Sequence, residues 1–481
     1  MSQVHEDIIF APATARVPAA LAVIRASGAG CIALFEGIFS AAEKLRSAPS
    51  HTMHYGILRD PRAAPEDAVV DDVLISVFRA PRSYTGEDTA EISCHGNPVI
   101  VERILGLLLY AGGTPEVRAA LAPGVRVRLA EPGEFTRRAF LNGRMDLAHA
   151  ESVASLISAA SERALALARR QFAGEFSARM RAIRESLVDA AALLEFSLDF
   201  PEEGARCARE DTKRRENALE RLKEFSVELS SLLAAYTSGR RIRDGVRLVI
   251  TGPPNAGKSS LFNRLLREPR AIVSAVPGTT RDLLREDIRL DGHLLCIYDT
   301  AGLSDAARDA IEEEGMARTR DEITRADVIL FLAHDHEAEE ARSAYADICR
   351  YAAAGVPIIR VRTKADLLPE IEHTLADVNI ISISVVREEG IADLLAALKK
   401  HLTLLAGHDA ADAVVGSERQ RAALETALRS LQSAENALAD GTEELASFDM
   451  RRAADSLAGI VGIVTSDEVL DAIFARFCIG K

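Results

Sequence analysis

"VRLVITGPPNAGKSSLFNRLL", residues 246–266, is the stretch on which the fold turns. Its first six residues are a compact aliphatic run of strand character. G-x-x-x-x-G-K-S follows, from Gly252 to Ser259, and then the helix-forming text "SLFNRLL". Strand, glycine-rich turn and helix in that order make a phosphate cradle. The glycines let backbone N–H groups converge on phosphate oxygens, and the helix N-terminus adds its positive dipole. Lys258 reaches the outer phosphates and the Ser259 hydroxyl is placed to ligate Mg²⁺. The expected contacts are Asn255, Ala256, Gly257, Lys258, Ser259 and Ser260.

Three segments downstream turn a general phosphate site into a nucleotide switch. "PGTTRD", residues 277–282, offers a second hydroxyl to the metal at Thr280. "DTAG", residues 299–302, ends a strand at Asp299 and passes through Thr300 and Ala301 to Gly302, whose N–H meets a γ-phosphate. Loops held by that phosphate order with the triphosphate and loosen after hydrolysis. "TKAD", residues 363–366, follows the apolar run "PIIRVR". The Asp366 carboxylate accepts from the N1–H and 2-amino group of guanine, where adenine presents a repelling lone pair. Lys364 lays its stem along the base, and Ala365 completes the turn. Thr363 stands where asparagine usually opens this motif, so guanine binding is expected to be somewhat weaker. "SIS", residues 382–384, is a weak form of the last base contact.

Leu303 follows "DTAG", where many such switches carry a water-orienting glutamine. An arginine finger is worth roughly 10³–10⁵ in rate, so another cation and another polar group are needed. The Asn255 amide oxygen, inside the phosphate loop, can hold a monovalent cation. The acidic cluster Glu312, Glu313 and Glu314 is the available water-orienting supply, although any one of the three reads equally well as a solvated helix turn.

Outward from this core, "LLCIYD", "DVILFLA", "VPIIRVRT" and "VNIISIS" are apolar runs separated by helical text, the pattern of a parallel sheet with crossover helices. The text on either side, about 146–238 and 416–478, is rich in Ala, Leu, Glu and Arg. Leu470, Ile473, Phe474 and Phe477 keep helical spacing there. Residues before about 142 alternate β-like runs with Pro/Gly punctuation. The fold class expected is multidomain α/β. An N-terminal α+β domain (1–142) precedes a helical-bundle domain (143–243 and 407–481). That bundle is interrupted by an inserted Ras-like P-loop domain (244–406) with a mainly parallel sheet.

The chain has 481 residues and a net charge of −14, so its overall field does not draw nucleic acid. Local basic runs exist at "TSGRRIRDG" and at Arg163, Arg169, Arg170, Arg179, Arg181 and Arg184; solvated helix faces are their commoner use. Six scattered cysteines form no C-x-x-C pair, which argues against a disulfide framework or zinc site. With no bilayer-length apolar run and no signal-like N-terminus, a soluble cytoplasmic protein with free thiols is expected.

"APRSYTGEDTAEISCHG" (80–96), "PGEFTRRAFLNGRMDLAHAESVASLI" (132–157) and the terminal "FCIGK" (477–481), with the motifs above, resemble the MnmE (TrmE) family over nearly the whole length. The resemblance implies a K⁺-activated GTPase acting on the wobble uridine of tRNA. Asn255 would coordinate K⁺ with Ser274, Val276 and Thr279, on a loop that also carries Ala275, Pro277 and Gly278. K⁺ would drive pairing of G domains in a homodimer and stand in for the arginine finger. Glu312, with Glu313 as its rival, would orient water, so that catalytic roles fall to Lys258, Glu312 and Cys478. Arg25, Glu87 and Arg144, with Lys481 nearby, would hold a 5-formyl-tetrahydrofolate-type one-carbon donor. An FAD-binding MnmG-type partner would join in modifying C5 of uridine 34. Here Arg144 stands where lysine is expected, and no glycine lies between Pro12 and Ile24.

Two other readings use the same motifs. One is a regulatory or ribosome-assembly GTPase that binds RNA without modifying it, which would have no need of a folate pocket. The other is an autonomous one-carbon transferase with a regulatory G domain; no general base stands beside the folate residues to support it.

Overall fold

The computed structural model of the chain describes residues 7–199, 208–267, 285–299, 319–336, 338–367, 380–406, 414–463, 466–475 and 477–480. The chain divides into two compact units, Met1–Ala154 with Leu457–Lys481, and Ser155–Ser456.

The first unit is built on a six-stranded sheet in the order β3-β4-β5-β2-β1-β6. Its strands are β1 (Ile8–Pro12), β2 (Leu21–Ser27), β3 (Thr52–Arg59), β4 (Val69–Phe78), β5 (Thr89–His95) and β6 (Val127–Leu129). The pairings are antiparallel except β1 with β6. Period-2 alternation sends Ile24, Ile75, Val77 and Ile92 into the core. There they meet Ile104, Leu107 and Leu108 of the helix Pro98–Ala111. That helix starts where Asn97 accepts the Val99 N–H and Pro98 needs no partner. Each fully buried aliphatic side chain contributes about 1.5–3 kcal/mol.

The glycine-free β1–β2 connection meets a glycine supplied from elsewhere. Ala19 donates to the Gly96 carbonyl at 2.9 Å, and a Cβ on Gly96 would stand 2.4 Å from the Ala19 oxygen. The close approach is made by β5's exit, so the loop itself can carry alanines.

The C-terminal residues of this unit pack on the segment 140–154. Leu470, Phe474 and Phe477 bury against Leu147, Ala150 and Val153. The i, i+3, i+4, i+7 stripe read from the sequence is that buried face.

The second unit combines long helices with a second sheet. The helices Ala208–Asp244 and Glu418–Asp440 run together, joined by Ser226 to Glu435 and by Tyr236 to Glu418. The sheet has the order β12-β11-β10-β7-β9-β8. Its strands are β7 (Val246–Thr251), β8 (Arg285–Leu290), β9 (His293–Asp299), β10 (Val328–Ala333), β11 (Ile358–Arg362) and β12 (Ile380–Ser382). All neighbours are parallel except β8 with β9. The multidomain α/β class with a mainly parallel sheet is therefore what the chain forms.

The basic run at 240–243 turns inward. Arg240 and Arg241 both bond Asp327 Oδ1, at 3.2 and 2.8 Å, while Asp327 Oδ2 accepts the Arg247 N–H. Arg243 pairs with Asp244 and donates to the Gly416 carbonyl. Asp327 is 3% exposed, so these guanidiniums offset an otherwise costly buried carboxylate. They tie the end of the helix Ala208–Asp244 to the foot of β10.

Candidate functional site

The strand order reverses at β7: β9 lies on one side and β10 on the other. In open α/β sheets the ligand crevice opens beyond the carboxyl ends of such strands. The stretch Gly252–Ser259 leaves β7 at that point.

Gly252 has φ 150°, and a Cβ there would stand 2.0 Å from the Leu332 carbonyl oxygen, so only glycine lets the loop leave the strand. Asn255 adopts φ 57° and is exposed, at a left-handed position that asparagine tolerates better than most residues. Gly257, φ 85°, precedes the helix Lys258–Leu266 and supplies no side-chain cap. The first-turn N–H groups are thus left for a ligand. Lys258 is buried, its Nζ donating to the carbonyls of Gly252 and Pro253 at 2.9 and 3.0 Å. The ammonium is held across the mouth of the loop, where it would turn to a polyphosphate. Ala256 is buried, and Ser259 and Ser260 are exposed. This donor set fits a Mg²⁺-bound nucleotide polyphosphate.

The stretch Thr363–Asp366 lies at the ends of β10, β11 and β12. Thr363 donates its N–H to Ala333 at 3.0 Å and Ala365 donates to Ile383 at 3.1 Å. Lys364 takes φ 56° between them and is exposed. Asp366 Oδ1 accepts the Ser384 hydroxyl at 2.7 Å. That bond is the main cause holding the Asp366 carboxyl below its ordinary range. Thr363 is 3% exposed and its Oγ1 has no hydrogen-bond partner among the described residues. A Cβ on Gly257 would stand 3.8 Å from the Thr363 Cβ, so the two loops approach each other here.

Asp299 closes β9, as its place in "DTAG" requires. Ser274, Ala275, Val276, Pro277, Gly278, Thr279, Thr280, Thr300, Ala301, Gly302, Leu303, Glu312, Glu313, Glu314 and Lys481 lie outside the described residues.

In the first unit, Arg25 (β2) is register partner to Glu91 (β5) and pairs with it at 2.7 Å. Its guanidinium also lies 5.1 Å from the Tyr84 ring centroid and 5.7 Å from that of Phe135. Glu87 accepts from the Ser27 hydroxyl at 2.8 Å and from Arg138 at 3.2 Å. Arg138, 1% exposed, also bonds Glu134 and the Asp7 carbonyl. Arg144 is exposed, and its chain passes within 3.3 Å of where a Gly86 Cβ would lie. Arg25 and Glu87 are thus held by protein partners, whereas Arg144 faces a cavity shared with Tyr84. Tyr84, Glu91, Phe135 and Arg138 belong to this cluster, and motif reading alone did not find them. Strand alternation would have set Glu91 opposite Arg25 only once the β2–β5 register was known.

Cys478 is exposed with a free thiol. Gly480, φ 98°, sits against β1's end, a Cβ there falling 2.1 Å from the Pro12 oxygen. Gly480 thus lies at the end of β1 from which the β1–β2 loop leaves.

A family model described as MnmE helical domain matches residues 147–478, and one described as GTP-binding protein TrmE N-terminus matches residues 8–144. The chain is 37% identical to the tRNA modification GTPase MnmE of Carboxydothermus hydrogenoformans, covering 99% of this chain and 100% of that protein. It is 39% identical to the one from Salinibacter ruber, covering 100% of both. It is 38% identical to the one from Chlorobium chlorochromatii, covering 99% of this chain and 98% of that protein.

Proposed function

We propose, from the premise that this chain belongs to the MnmE family of tRNA-modification GTPases, a K⁺-activated, homodimeric enzyme. It acts with an FAD-binding MnmG-type protein on C5 of the wobble uridine of tRNA. The observation that carries the nucleotide part is the pairing of two half-sites at one sheet end. Lys258 and the uncapped helix stand on the phosphate side, and Asp366, oriented by Ser384, on the base side.

In this reading Asp366 selects guanine, Lys258 neutralises developing charge on the phosphates, and Ser259 with Thr280 would hold Mg²⁺, which would supply further positive charge to them. The exposed Asn255 amide, with Ser274, Val276 and Thr279, holds K⁺ where an arginine finger would otherwise reach. Glu312 orients the water that Leu303 cannot. Residues 1–142 would bind the folate-type donor through Arg25, Glu87 and Arg144 and dimerise. Residues 143–243 and 407–481 would carry the helical domain, and 244–406 the G domain, whose turnover gates the chemistry. Among the described residues no helix is long and apolar enough to cross a membrane, and we place the protein in the cytoplasm.

Two measurements test the reading. GTP turnover should be markedly faster in KCl than in NaCl, and equal rates would remove the cation. Nucleoside analysis of tRNA from cells lacking the protein should show altered wobble uridines. Unchanged wobble uridines would leave only the GTPase.

A further inference from the structure

One cavity of the first unit is lined by cations without protein partners. His51, Phe78, Arg82, Ser83, Tyr84 and Arg144 line an open surface pocket of about 390 Å³. Neighbouring arginines pair with carboxylates: Arg25 with Glu91, Arg79 with Asp88 and Arg138 with Glu87 and Glu134, although the buried Arg25 Nη1 has no hydrogen-bond partner among the described residues. The Arg82 and Arg144 guanidiniums make no hydrogen bond or ion pair among the described residues, although both line the same cavity. Two like charges facing one space repel, and an anion between them removes that cost.

The other linings narrow the ligand. Ser83 donates to the Glu87 carbonyl and Tyr84 bonds Thr136, so neither hydroxyl is free to lead recognition. His51 has Nδ1 on the Ser50 hydroxyl and its ring edge-on to Phe78 at 5.3 Å. The walls are therefore aromatic and the free polar groups are guanidiniums with one imidazole edge. That suits a flexible chain bearing several carboxylates, since guanidinium grips carboxylate bidentately. Its place is equally specific. Tyr84, which lines the cavity, also stacks under Arg25, and Ser83 bonds the backbone of Glu87. The cavity thus adjoins the residues to which the folate reading assigns the donor.

We propose that this cavity is a carboxylate subsite for the γ-linked glutamyl tail of the donor, so that the protein selects donors by tail length. The inference rests on the folate reading. Each added glutamate brings one more carboxylate to a site where Arg82 stands uncommitted beside Arg144, the residue the folate reading already places on the donor.

The test titrates the full-length protein with 5-formyl-tetrahydrofolate bearing one glutamate and with the same compound bearing several. The longer tail should bind about tenfold more tightly. Arg82→Gln, an exposed position whose change spares the fold, should bring the ratio to within about twofold while leaving monoglutamate affinity nearly unchanged. Equal affinities in the unmodified protein overturn the subsite and leave the folate reading intact. Failure of both compounds to bind overturns the folate reading and the subsite together. If Arg82→Gln instead weakens tRNA binding and leaves the tail ratio unchanged, the cations serve RNA phosphates and the proposal is wrong.

Discussion

The Ser384 hydroxyl donates to Asp366 Oδ1 at 2.7 Å, fixing one oxygen of the carboxylate that the proposed function places on guanine. The same hydroxyl accepts the Arg387 N–H, so it is itself held. This bond lowers the Asp366 carboxyl, which must be ionised to accept two N–H donors. Ser384→Ala should weaken GDP binding roughly three- to tenfold. Because the carboxyl rises when the donor is lost, the acid limb of GDP binding should move to higher pH. Fluorescent-GDP titrations across pH check both, and an unmoved limb would assign the tuning elsewhere.

Thr363 buries a hydroxyl without a partner. Thr363→Val keeps the shape and removes the desolvated group. The ligand-free protein should gain about 1 kcal/mol. The readout is the thermal transition that GDP shifts upward. A lower transition in the variant would show that the hydroxyl is bonded after all.

Gly133 has φ 71°, and a Cβ on it would lie 2.5 Å from the Phe474 carbonyl oxygen, a backbone atom that cannot swing away. Gly133→Ala should therefore loosen the helix Asp467–Phe474 and cost about 2 kcal/mol or more. Limited proteolysis should release the C-terminal residues faster than in the unmodified protein.

Asp7 is buried, which pushes its carboxyl up, but bonds from Arg128 and Arg126 outweigh this and hold it at about 2, against 3.8 for the free group. The folded value lies below the unfolded one. The stabilisation is therefore complete above about pH 4 and is lost as pH falls toward 2. Asp7→Asn should cost about 1–2 kcal/mol at pH 7 and little at pH 2. Stability of the two proteins compared at both pH values gives the answer.

Glu312→Ala should slow GTP hydrolysis by about 10²-fold while sparing GTP affinity. Normal turnover in this variant, with loss in Glu313→Ala, would move the role one residue along.

The nucleotide elements were legible because their information is local. Gly252 and Gly257 take backbone angles that few other residues accept, and the helix they precede follows at once. Apolar runs with Pro/Gly punctuation likewise exposed the strands of both units, and helical spacing exposed the C-terminal stripe. The N-terminal cluster was only partly legible. Arg25 and Glu87 could be named from strings that resemble a family. Nothing in those strings distinguishes Arg138, locked between two glutamates, from Arg82, whose guanidinium has no partner among the described residues.

Composition and spacing by themselves determined the fold class and the strand–turn–helix that carries Gly252–Ser259, since each depends on neighbours a few residues apart. Only the tertiary structure decided which charges are spent and which are free. Arg25 meets Glu91 through strand register, and Arg240 and Arg241 meet Asp327 across the end of a helix. The physical reason is that a charge is satisfied by distance in space, and residues 66 or 86 positions apart carry no local signal that they will touch.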